Sequence, residues 1–128
     1  MSYYFSKCLN VSFDEAVDRV TAELKEEGFG ILTEIDVKDT LKKKLDVDFK
    51  KYRILGACDP HFAYRALQVE DKIGLMLPCN VIVQEISEKN IEVAAIDPVA
   101  SILAIANPEV QDNAKRLRIR LQTVIENL

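Results

Sequence analysis

The chain is poor in the residues that small domains use as staples and as chemistry. Three cysteines in 128 residues are an odd number, so a complete disulfide framework is impossible, and a reducing compartment would keep them as thiols. No stretch approaches the roughly 18 uncharged apolar residues of a membrane span. Met1 to Ser6 is too short for a signal peptide, so a cytoplasmic protein is expected. Basic residues do not dominate. A net charge of −4 and a pI near 5.1 argue against broad binding to nucleic acid or to an anionic membrane, although a local basic face is compatible with them. Also missing are a Gly-x-Ser-x-Gly elbow, a Gly-rich phosphate loop, a dinucleotide fingerprint, any internal repeat and any linker-like tract.

What remains has ordinary globular composition, with 48% hydrophobic and 30% charged residues. That is enough for one domain over 1–128 that buries a core without disulfides or a structural metal. Tyr3 to Val11 reads as a first strand, with Tyr3, Phe5 and Leu9 inward. Ser12-Phe13-Asp14-Glu15 is a capping box. Behind it, Phe13, Ala16, Val17, Val20 and Leu24 form the stripe of a long amphipathic helix that ends at Gly28 or Gly30. Ile31 to Val37 alternates as a second strand, with Ile31, Thr33 and Ile35 on one face. Val37, Leu41 and Leu45 then space a short helix, and its lysines 42–44 read as a solvated face.

Further on, Val81 to Ile86 and Ile91 to Ile96 flank Ser87-Glu88-Lys89-Asn90 as a hairpin. Asp97-Pro98 and Asn107-Pro108 open helices, because Asp and Asn cap well and Pro suits the first helical position. The apolar segment Val99 to Ala106 should be buried. From Pro108 to Leu128, residues Val110, Ala114, Leu117, Leu121, Val124 and Leu128 make a seam too short for a coiled coil. Docking on a sheet is favoured over dimerisation. The expected fold class is α+β: about five strands, mixed or mainly antiparallel, in one sheet covered by helices, in the order β-α-β-α-β-α-β-β-α-α.

The unusual locus is Tyr52 to Glu85, which holds two cysteines and the only histidine. Ile54 to Ala57 is a short apolar strand, stopped by Asp59-Pro60 at the start of a helix carrying Phe62, Ala63, Ala66 and Leu67 at helical spacing. Gly74 and Pro78 mark an irregular crossing, and a strand starts at Cys79. Leu55-Gly-Ala-Cys-Asp-Pro60, Ala63-Tyr-Arg-Ala-Leu67 and Ile73-Gly-Leu-Met-Leu-Pro-Cys-Asn-Val81 resemble the signature of the bacterial and archaeal domain of unknown function family 302. The resemblance covers nearly the whole chain. It implies a small α/β fold, often dimeric, and brings no established reaction. Asp59 departs from the pattern, since members more often carry Asn there; either caps, but Asp adds charge beside Cys58.

Cys58 would sit just before a helix N-cap, where free N–H groups and the helix dipole favour a thiolate or a bound anion. Cys58-Asp59-Pro60-His61 looks like a thioredoxin motif with His for the second Cys, but the intervening elements do not match that fold. The leading expectation is a small binding or accessory domain, a homodimer, with a pocket for a small anion or thiol ligand formed by Cys58, Asp59, His61, Cys79 and Asn80. One alternative is a thiol-dependent or sulfur-transfer enzyme with Cys58 as nucleophile. Others are a soft-metal site of Cys58, His61 and Cys79, which lacks a fourth ligand, and a structural partner protein using the C-terminal helix. No cofactor is implied.

Overall fold

A computed structural model describes residues 2–128. Five strands form one fully antiparallel sheet: β1 (Tyr4–Leu9), β2 (Gly30–Asp36), β3 (Tyr52–Cys58), β4 (Cys79–Ser87) and β5 (Asn90–Ile96), in the spatial order β1-β5-β4-β3-β2. Between and after them run α1 (Phe13–Glu26), α2 (Val37–Leu45), α3 (Pro60–Val69), a 3₁₀ segment (Asp71–Met76), α4 (Pro98–Ser101) and α5 (Pro108–Glu126). The class is α+β, and the elements follow the order expected from the sequence.

The helices begin where local chemistry dictates. Ser12 caps α1 by accepting the Glu15 N–H. Asp59, Asp97 and Asn107 each precede a proline and accept amide protons of the first turn of α3, α4 and α5, satisfying donors that the helix itself cannot. The chain turns away after α1 at Gly28, which follows the C-cap Glu27; the Gly28 φ of 87° is the left-handed conformation that glycine adopts without strain.

Period-two alternation decides which face of the sheet is covered. Leu55, Ala57, Val81, Val83, Ile91, Val93 and Ala95 point to one side, where they pack against Phe13, Ala16, Val17, Val20 and Leu24 of α1 and Leu117, Leu121 and Val124 of α5. Each fully buried aliphatic side chain there contributes about 1.5–3 kcal/mol of transfer free energy. The apolar seam of α5 is therefore consumed within this chain and is not a free dimerising surface. A second cluster of Ala66, Ile73, Ile102, Val110 and Ala114 seals α3, the 3₁₀ segment and α4 onto the other end of α5.

Several local expectations are corrected. Tyr3 lies before β1 and is exposed, whereas Leu9 and the part-buried Phe5 belong to the core. In β2 the register shifts between Ile31 and Thr33. An inserted residue reverses the alternation, so Ile31 packs on the core while Thr33 and Ile35 pair with Gly56 and Ile54 of the uncovered face. The crossing before Pro78 contains a 3₁₀ segment. The apolar run after Asp97 yields only one helical turn, and Leu103 in it is exposed. Helix α2 buries no residue, because it packs at the β2–β3 end of the sheet and not over the core.

Candidate functional site

The junction of β3 and α3 is organised by Asp59. Its Oδ1 accepts the His61 N–H at 2.9 Å and the Phe62 N–H at 3.5 Å, and its Oδ2 accepts Arg120 Nη1 at 2.7 Å. Arg120 also donates from Nε, at 3.1 Å, and from Nη2 to the Glu27 carbonyl, and lies 4.6 Å from the Phe29 ring centroid. One guanidinium thus ties the C-terminal end of α1, the N-cap of α3 and the last third of α5. The glycine at 28 serves this brace as well as the turn, since a Cβ there would lie 2.8 Å from Arg120 Nη2. Burial pushes the Asp59 carboxyl upward, but the Arg120 hydrogen bond, the His61 amide, the Arg120 charge and the Phe62 amide together outweigh it. The net result is a carboxyl held below its ordinary value.

This geometry changes what the helix start offers Cys58. The amides that would stabilise a thiolate are already taken by the Asp59 carboxylate. Burial, followed by the negative charge of Asp59, raises the Cys58 thiol above its ordinary value. Cys79 is buried, and burial, followed by the proximity of Cys58, pushes its thiol up to about 11. Both cysteines are therefore protonated near neutrality, the opposite of an activated nucleophile.

Nor do the five residues singled out in the sequence line one cavity. Cys79 pairs with Ala57, the residue before Cys58; strand alternation turns Cys79 to the helix-covered face and Cys58 to the other. Cys79 lines an apolar crevice with Phe62, Leu77 and Leu117. Asn80 lines a cavity of about 420 Å³ on the uncovered sheet face. Asp59 and His61 line a third cavity, between α3 and α5. Among the described residues no group of three His, Cys, Asp or Glu side chains is placed to hold a metal ion, Cys58, His61 and Cys79 included; strand alternation sets the two thiols on opposite faces.

The α3–α5 cleft, of about 130 Å³, joins Asp59 and His61 to Arg65, Asn113, Arg116 and Arg120. Arg65 stands one helical turn after His61, and Asn113, Arg116 and Arg120 repeat at three- and four-residue spacing along one face of α5. The sequence reading scattered the cations of α5 around its circumference. The available signal was this i, i+4 spacing, combined with the knowledge that α3 packs on that face. Arg120 is held by Asp59, but neither Arg65 nor Arg116 forms an ion pair among the described residues. Asn113 is 8% exposed, and its Nδ2 is enclosed without an acceptor.

The chain matches the family model Domain of unknown function DUF302 over residues 5–128. It is also similar to the crystal structure of an uncharacterized conserved protein DUF302 from Bacillus stearothermophilus, at 24% identity over 98% of each chain with a TM-score of 0.89. That likeness shows a shared fold. No curated protein matches.

Proposed function

Because the chain belongs to the DUF302 family, described only as a domain of unknown function, we propose from the site geometry alone that it is a binding domain whose α3–α5 cleft takes a small oxyanion. The observation that carries this reading is the surplus of positive charge: three arginines and one aspartate line the cleft, and Arg65 and Arg116 form no ion pair among the described residues. Arg is suited to carboxylate and phosphate because its planar fork donates two parallel hydrogen bonds. Asn113 lines the same cleft with its side-chain amide, a group that can donate or accept. The size fits one phosphate or carboxylate group, since about 130 Å³ holds roughly four waters at their liquid volume of about 30 Å³ each.

This reading keeps the anion ligand at the start of α3 and moves its contacts from the thiols to the arginines. The raised thiols argue against a thiol ligand and against Cys58 as a nucleophile. The test is a titration with inorganic phosphate and with citrate, followed by amide chemical shifts. Resonances of residues 61, 65, 113 and 116 should move together in a saturable manner, less so at high salt. The double variant Arg65→Gln/Arg116→Gln should bind about tenfold or more weakly, the equivalent of at least about 1.4 kcal/mol, while Lys115→Gln should bind as the parent does. Equal losses in both variants would reduce the effect to net charge and remove the site.

A further inference from the structure

Strand alternation leaves the second face of the sheet without helices, and that face is almost free of charge. Tyr52, Ile54 and Gly56 stand opposite Gln84, Ile82 and Asn80 across β3 and β4, and Ile82 and Gln84 stand opposite Ala94 and Glu92 across β4 and β5. Over this floor lies the 420 Å³ cavity, whose apolar base is Ile82, Ala94 and Ile96. Its polar wall consists of Tyr3, Tyr4, Tyr52, Gln84 and Glu92, with Asn80 at one end. No basic residue lines it.

Glu92 is the one acidic side chain of that cavity, and it is half-buried. One of its oxygens accepts Gln84 Nε2 at 2.7 Å, and the carboxylate has no ion-pair partner among the described residues. The same cavity is lined by the electron-rich rings of Tyr3, Tyr4 and Tyr52, with Tyr3 and Tyr4 edge to face at 5.0 Å between centroids. Burial, then the charge of Glu92, then Tyr3 raise the Tyr52 phenol, which places Tyr52 within the field of the same carboxylate. A half-buried carboxylate and three tyrosine rings lining one cavity over an aliphatic floor are complementary to one class of small molecule. The ring quadrupoles and the carboxylate both attract a cation, and the floor accepts an apolar body. The volume falls within the range of about 300–1,000 Å³ typical of small-molecule sites.

We propose that this cavity binds a small organic cation, an ammonium group on a short apolar body, with Glu92 as its counter-ion and Tyr3, Tyr4 and Tyr52 as its aromatic wall. The site is separate from the α3–α5 cleft and opposite to it in ligand charge.

The chain has no tryptophan, and three of its four tyrosines line the cavity, so intrinsic tyrosine fluorescence reads occupancy directly. Phenethylammonium is the probe and phenethyl alcohol its neutral control. Phenethylammonium should change the emission saturably, the alcohol should bind about tenfold or more weakly, and Glu92→Gln should lose about tenfold for the cation only. Equal binding of cation and alcohol by the parent protein would overturn the proposal, and that comparison does not depend on any variant folding. So would an unchanged affinity in Glu92→Gln, or no saturable change up to tens of millimolar. Sedimentation equilibrium on the same samples supplies the remaining arm. A stable dimer that buries this face and is indifferent to phenethylammonium would assign the surface to a second copy of the chain instead.

Discussion

Asp59→Asn separates the two roles of one carboxylate. Asn caps helices as well as Asp does, so the bonds to His61 and Phe62 can persist, while the charge facing Arg120 is lost. A hydrogen bond between charged groups is worth about 1.5–3 kcal/mol and a neutral one about 0.5–1.5 kcal/mol. Asp59 is 13% and Arg120 31% exposed, so water screens the pair only in part, and the variant should lose about 1–2 kcal/mol at neutral pH. At this chain length that is a fall in Tm of about 3–7 °C. The pH dependence follows from the direction of the shift. A carboxyl held below its ordinary value stabilises fully above its unfolded value, about 3.9, and loses that contribution as pH falls through its folded value. Urea denaturation of both proteins between neutral and acidic pH should therefore give a difference that is constant down to about pH 5 and shrinks below about pH 4. A double-mutant cycle with Arg120→Gln should show most of the loss as coupling. A difference that does not vary with pH, or two additive losses, would refute the reasoning that this pair is a charge-dependent brace.

Two further outcomes are expected. With iodoacetamide at mildly alkaline pH, peptide mass spectrometry should find Cys8, which is exposed, modified first, Cys58 more slowly, and Cys79 only on unfolding, because burial pushes Cys79 up to about 11; fast native labelling of Cys79 would contradict its packing. Asp97 is 1% exposed, caps α4 through the Val99 N–H at 2.9 Å and faces Arg118 Nε at 3.3 Å. Asp97→Ala should cost about 2–3 kcal/mol by urea denaturation, the sum of a lost cap and a stranded charge partner, and a loss below about 1 kcal/mol would mean that the Arg118 contact contributes nothing.

The readable part of the fold lay in signals only a few residues long. Ser12 with Glu15, and the Asp-Pro and Asn-Pro pairs at 59, 97 and 107, announced helix starts because capping involves atoms within three residues of each other. The stripe from Phe13 to Leu24 and the alternation of Val81 with Val83 announced buried faces for the same reason. The bulge at Leu32 was not readable: a single extra residue reverses a face, and only the pairing of β2 with β3 reveals it. The exposure of Leu103 and of α2 was hidden similarly, since apolar character says that a residue can be buried and not that anything covers it.

The candidate site divides along the same line. The sequence by itself determined that residues 58–61 form a strand-to-helix junction capped by Asp59, and that the five apolar seam positions from Val110 to Val124 in α5 share one face, because both follow from backbone periodicity and local hydrogen bonding. The tertiary structure alone decided that Arg120, 61 residues away, would hold that cap, and that Cys58 and Cys79 would neighbour each other in the sheet yet face opposite ways. It also set Arg65 and Arg116 across one cleft and brought Glu92 and three tyrosines to one cavity on an uncovered face. Those relations depend on strand order and helix docking, which are fixed by the sum of many weak apolar contacts and are carried by no single segment of the chain.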